Sequence, residues 1–220
     1  MTRDVHDRRP VKTRNSAWAA SAARYLRQKG YTPNTISLFS IFFALLAGLC
    51  FLTVWHSDNT LLQRGLLLFA IAGIQGRLIC NLLDGMVAVE GGLRSPAGAV
   101  FNELPDRISD SVLFLGAGYG LVQVTGGVEL GWAASLFALF TAYVRLLGGT
   151  CGLAQQFSGP MAKQHRMALL TAATVIAIIL PQWGELLLLC ALALIALGAA
   201  WTTVRRTRQI ISTLKQEKAS

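Results

Sequence analysis

Two short polar runs, 81–84 and 102–110, hold the side chains of this 220-residue chain best suited to chemistry. Both lie beside long apolar segments. Asn81 and Asp84 are three residues apart and share a helix face, while Asn102, Asp106 and Asp110 follow at four-residue steps and line up on one face. A carboxylate at membrane depth is costly unless it serves a transport pathway, a metal ion or a reaction. The 81–110 stretch is therefore the candidate site. Arg77 stands one turn before Asn81, inside an apolar segment, and needs a partner there for the same reason.

The elements that position these residues are read from composition and patterning. The chain is 53% hydrophobic and only 14% charged, where soluble domains carry about 25% charged residues. Mean hydropathy is +0.49 and the pI about 10.0, with a net charge of +9. The basic residues cluster at the chain ends and in short loops beside apolar segments. That distribution suits anionic lipid headgroups and not nucleic acid. Cys50, Cys80, Cys151 and Cys190 are scattered through apolar segments without metal-ligand spacing and read as small hydrophobes. The first long apolar run starts only after Pro33, too late and too long for a cleaved leader, so it reads as a retained span.

The expected fold is all-α: a polytopic membrane protein with six transmembrane helices and an N-terminal amphipathic interfacial helix. Residues 1–30 form a cytoplasmic arm and that helix, 31–204 the membrane domain, and 205–220 a basic cytoplasmic tail. The interfacial helix runs from Ser16 to Gly30, with Trp18, Ala22, Tyr25 and Leu26 on one stripe. A helix needs about 20 apolar residues to cross a ~30 Å hydrocarbon core. Spans are expected at about 35–55, 62–83, 97–124, 130–148, 167–180 and 185–204. The connections 56–59, 125–129 and 181–184 lack Lys and Arg, whereas the N-terminal arm, 84–97, 155–166 and the tail are basic. The alternation puts both termini and the acid-rich stretch on the cytoplasmic side, in a bacterial inner (cytoplasmic) membrane.

With its spacing, the stretch resembles the signature of the CDP-alcohol phosphotransferase family, D-x-x-D-G-x-x-A-R-x8-G-x3-D-x3-D. Asp84, Gly85, Ala88, Gly98 and Asp106 match; Asn81 and Asn102 stand where the family has Asp, and Val89 where it has Arg. The Thr32-Pro33-Asn34-Thr35 opening of the first span, the six-span layout and the Arg145 and Gly159–Arg166 regions extend the likeness over most of the chain. The resemblance implies a homodimeric enzyme that moves a phosphatidyl group from a CDP-alcohol, foremost CDP-diacylglycerol, to a small alcohol or phosphorylated alcohol with release of CMP. It implies Mg²⁺ or Mn²⁺ as cofactor, Asp84 and Asp106 as ligands with Asn81 and Asn102 at ligand positions, and Asp106 as general base. Gly85, Ala88 and Gly98 are implied at the nucleotide and diphosphate, and Arg145, Lys163 and Arg166 at phosphate groups of substrate.

The departures have a chemical cost. Asn keeps a carbonyl oxygen but loses the charge, so the four-residue cluster falls from −4 to −2. Asp110, one turn beyond Asp106, is the first candidate to make up the loss; Glu103 lies about 100° round the helix from Asn102, and Glu90 is a third acid nearby. Arg77, Arg94 or Arg107 could supply the diphosphate contact missing at Val89. Retained acids with near-isosteric Asn at both lost positions favour a variant active site over a decayed one. The alternatives are a non-catalytic membrane protein of the same fold, a hydrogen-bond network that only holds the bundle, and, for the basic residues, topology and headgroup contact alone. His165 is a proton-shuttle candidate against an ordinary loop histidine.

Overall fold

The computed structural model describes residues 16–90, 96–154 and 159–217. Among the described residues the chain is helical without strands. Its helices are α1 (Ala17–Gln28), α2 (Pro33–Thr53), α3 (Thr60–Glu90), α4 (Gly98–Gly120), α5 (Gly127–Thr150), α6 (Lys163–Ile179) and α7 (Gly184–Glu217). Single 3₁₀ turns follow α2 at Val54–His56 and precede α7 at Pro181–Trp183.

Local chemistry sets the helix ends. Gly30, at φ +80°, closes α1: its N–H donates to the Arg27 carbonyl and the Tyr31 N–H to that of Leu26. That paired termination needs a left-handed residue, which glycine adopts without strain. Thr32 caps α2 by accepting from the Thr35 N–H at 3.2 Å, with Pro33 in the first turn. Asn59 caps α3, its Oδ1 accepting from the N–H groups of Leu61 and Leu62 at 2.9 and 3.2 Å.

Among the described residues, four helical stretches are long and apolar enough to cross a membrane: Pro33–His56, Thr60–Val89, Gly127–Thr150 and Pro181–Gln216. They carry large apolar side chains outward as well as inward; Leu61, Phe69 and Leu197 are 63–79% exposed. Helices apolar all round belong in a membrane, and this is an integral membrane protein. α4 carries Glu103, Asp106, Arg107 and Asp110, and α6 has only 17 residues, which sets both apart from those four.

α2 packs against α3 and α4, α5 bridges α4 and α7, and α6 lies against α3 and α7. Phe51, Phe114, Met167, Leu170 and Leu192 fill the fully buried centre. Glycine lets the helix carrying the acids approach its neighbours. A Cβ on Gly116 would stand 2.7 Å from the Cα of Gly48, and one on Gly118 would stand 2.8 Å from the Cα of Gly131. Backbone would have to move in either case. Gly116→Val is expected to cost about 1–3 kcal/mol by overpacking. Thermal unfolding in detergent, followed by tryptophan fluorescence, reads this; an unchanged midpoint would mean that α2 and α4 separate freely.

Three expectations shift. α3 runs to Glu90 and not to residue 83, so Gly85 sits inside a helix, while Gly98 does open α4. The tail does not begin at 205: α7 continues unbroken to Glu217, because Arg206 and Ile210 are buried, Ile210 facing Gly148 on α5. Along α1, Ala19 and Ala23 are buried with Ile36, Leu83, Met86 and Val87; Ala22 and Leu26 of the expected stripe pack partly buried beside them, and Trp18 and Tyr25 are about half exposed. Small residues let this helix lie close on α3, and the aromatic side stays outward.

Candidate active site

Helical spacing brings the polar runs of α3 and α4 face to face. Asn81 donates from its amide nitrogen to Asp106 Oδ1 at 2.9 Å. The same oxygen accepts from Lys163 Nζ at the start of α6, and Arg107 stands 3.8 Å from Oδ2. Arg77 stands 3.8 Å from Oδ1, so Asp106 sits among an amide and three cations, with 15% of its side chain exposed. Pro105, immediately before it, has no N–H to close the helical bond to Phe101. Asp84, one turn past Asn81, is buried and accepts from Ser37 Oγ of α2 at 2.6 Å.

Below Asp106 lies a buried cluster. The two Asp110 oxygens are taken separately: Arg77 donates to Oδ1 at 2.5 Å and Arg166 to Oδ2 at 2.7 Å. Arg77 also donates to the Asp106 backbone carbonyl at 3.3 Å and contacts Met167 Sδ at 3.1 Å. Arg166 reaches the Met161 carbonyl at 2.9 Å and Thr141 Oγ1 at 3.3 Å. Each guanidinium meets Asp110 through one terminal nitrogen, and the Nε of both has no hydrogen-bond partner. Burial of two cations is tolerable here because one anion answers both.

Above this cluster opens a cavity of about 240 Å³ bounded by α3, α4, α5, α6 and α7. Asn81, Asn102, Asp106, Arg145, Lys163 and Arg166 all line it. Of the other candidates, Asp84, Gly85, Ala88, Gly98, Arg77 and Asp110 do not appear in its wall, and Arg94 and Glu90 fall outside the residues whose side chains are described. Asp110 in particular has both oxygens occupied by guanidiniums. That geometry makes it the counter-ion of two arginines, one on each oxygen. Arg77 is fully buried against it and does not face the cavity as a diphosphate contact would.

Glu103, ranked behind Asp110 in the sequence, and three groups that the spacing did not mark, Arg206, Ser37 and Thr141, complete the surroundings. Glu103 lies in the cavity wall, its Oε2 accepting from Arg145 at 2.5 Å and Arg107 at 3.0 Å. Arg206 reaches across from α7 and donates to the Thr141 carbonyl at 2.6 Å. Ser37 holds Asp84, and Thr141 supports both Arg166 and Arg206. The cavity wall carries five cationic side chains, those of Arg107, Arg145, Lys163, Arg166 and Arg206, against the carboxylates of Glu103 and Asp106. Such a surplus suits an anionic ligand.

Among the described residues no group of three or more His, Cys, Asp or Glu side chains is arranged to hold a metal ion. Counting amides changes the picture. Asp84 and Asp106 with the carbonyl oxygens of Asn81 and Asn102 make a donor set of oxygens only, the chemistry that Mg²⁺ and Mn²⁺ prefer, at half the charge of four carboxylates. The residues present fit a hard divalent ion, weakly held.

The all-helical bundle has a fold already seen in a solved membrane enzyme. The chain has the fold of Mycobacterium tuberculosis phosphatidylinositol phosphate synthase (PgsA1). The form of that protein with CDP-DAG bound superposes with a TM-score of 0.74 at 20% identity, over 89% of this chain and 94% of that one. The form in complex with manganese and citrate gives 0.72 at 20%, over 87% and 88%. In sequence, the chain is 29% identical to the inner membrane protein YnbA of Escherichia coli (strain K12), over 85% of this chain and 88% of that protein. It is 25% identical to the phosphatidylinositol phosphate synthase of Streptomyces avermitilis, over 90% and 78%. No protein-family model matches the sequence.

Proposed function

We propose that this protein is a membrane CDP-alcohol phosphatidyltransferase of phospholipid biosynthesis, a variant member of the CDP-alcohol phosphotransferase family that uses CDP-diacylglycerol and a small alcohol. The observation that carries the reading is Asp106, held among cations at the wall of a cavity in a fold shared with a synthase that binds CDP-DAG. The motif matches at Asp84, Gly85, Ala88 and Gly98 and the relatives named above support it.

In this reading α4 and α6 complete six crossings, α1 lies on the membrane interface, and the basic loops keep the cavity on the cytoplasmic side of a bacterial inner membrane. The homodimer implied by the family resemblance belongs to the same proposal. The donor's diphosphate lies against the cation-rich wall, with Lys163 the nearest charge to Asp106. The acceptor hydroxyl hydrogen-bonds to Asp106, which takes its proton as the oxygen bonds to the lipid-bearing phosphorus. The bond from that phosphorus to the bridging oxygen breaks, and CMP leaves with the electron pair. Mg²⁺ or Mn²⁺, held by Asp84, Asp106, Asn81 and Asn102, would neutralise the diphosphate oxygens. Asp110 and Arg77 act on this step only through Asp106, by fixing the backbone beneath it.

The test is CMP release from CDP-diacylglycerol by the detergent-purified protein with Mg²⁺ or Mn²⁺ and a panel of alcohols. Donor binding without release would favour the non-catalytic alternative. Restoring acids in an Asn81→Asp/Asn102→Asp variant is expected to lower the Kd for Mn²⁺ by about tenfold or more, since affinity follows ligand charge. Titration of Mn²⁺ followed by electron paramagnetic resonance reads this without turnover. An unaltered Kd would place the ligands elsewhere.

A further inference from the structure

Among the described residues, Glu103 is the one acidic side chain in the cavity wall besides Asp106. Its Oε2 accepts from two guanidiniums, Arg107 one turn along α4 and Arg145 on α5. The cations nearer the floor are committed as well, Lys163 to Asp106 and Arg166 to Asp110. We infer that Glu103 sets acceptor specificity, excluding phosphorylated alcohols in favour of acceptors whose far end is uncharged or cationic and donates hydrogen bonds. The inference rests on the transferase reading above. A phosphate monoester carries nearly two negative charges and would have to displace the carboxylate or lie beside it. Either way like charge meets like charge in a partly dehydrated cavity, the kind of repulsive element that discriminates between ligands of similar shape. A polyol or amino alcohol instead finds in Glu103 an acceptor for its hydroxyl or ammonium protons. The cation surplus then serves the donor's diphosphate and not a second phosphate.

The experiment compares paired acceptors, glycerol with glycerol 3-phosphate and inositol with inositol phosphate, by CMP release from CDP-diacylglycerol using the full-length protein in detergent. The wild type is expected to prefer the unphosphorylated member of the active pair. Glu103→Gln shifts the kcat/KM ratio toward the phosphorylated member by about tenfold or more, while Glu103→Asp, which keeps the charge, leaves the preference in place. Calorimetric binding of inorganic phosphate runs alongside and needs no turnover: Glu103→Gln is expected to bind it about tenfold more tightly than wild type. A wild type that prefers the phosphorylated acceptor overturns the inference, whether or not the variant folds. So does a folded Glu103→Gln protein with unchanged acceptor ratio and unchanged phosphate affinity. No CMP release from any pair, with the gain in phosphate binding intact, would instead sink the transferase reading and leave Glu103 as the group that keeps anions out.

Discussion

Asp106→Asn is expected to lower kcat by about 10²–10⁴-fold, the range that a positioned general base contributes. The change keeps the shape of the side chain and an oxygen that can still accept from Lys163 and Asn81, so the cavity wall stays in place. What is lost is the capacity to take the acceptor's proton, together with one of two remaining charges in the oxygen cluster. Donor binding should fall much less than turnover, because the diphosphate meets the cationic wall and not Asp106 alone. Equilibrium binding of CDP-diacylglycerol beside single-turnover CMP release separates the two effects. Release at the wild-type rate would remove Asp106 from the chemistry.

The second large effect is one of stability. Asp110→Ala strips the counter-ion from Arg77 and Arg166, whose side chains are 0% and 1% exposed. Two uncompensated buried guanidiniums make this a costly truncation, of about 3–5 kcal/mol by comparison with other broken buried pairs. The thermal midpoint in detergent should drop by several degrees or more, or the protein should fail to accumulate as a monodisperse species. Turnover should fall as well, because Arg77 holds the backbone carbonyl of Asp106. If Asp110→Ala melts with the wild type, the Arg77–Asp110–Arg166 cluster does not hold this bundle.

Helical spacing made part of this legible. The spacing put Asn81 and Asp106, 25 positions apart, each on the polar face of its own helix, and the two are hydrogen-bonded. Spacing could not rank Asp110 against Glu103. Each four-residue step along a helix turns the face by about 40°, so by Asp110 the row has swung round nearly to the direction of Glu103. Depth then decided between them. Asp110 meets arginines from α3 and α6 in the interior, while Glu103 is nearer the open end and meets Arg145 of α5. Those partners are tertiary facts. Arg206 was hidden differently: it stands among basic residues that read as a solvated tail, and only the continued packing of α7 against α5 turns it inward. Ser37 carried no signal of its own, being one hydroxyl in an apolar run where such residues commonly bond their own helix, as it also does to the Pro33 carbonyl.

The unbroken course of α7 bears on the depth of the cavity in the proposed membrane topology. Its 34 residues rise about 51 Å, against a hydrocarbon thickness of about 30 Å. Arg206 stands 22 positions beyond Gly184, about 33 Å along the axis, a little more than that thickness. In the proposed topology, with Gly184 at the far edge of the hydrocarbon, the cavity that Arg206 helps to line would lie level with the headgroups of the surrounding lipids. At that depth the proposed two-chain donor would enter sideways with its tails still immersed, exchange one head for another, and drift off as product without being lifted out of the bilayer.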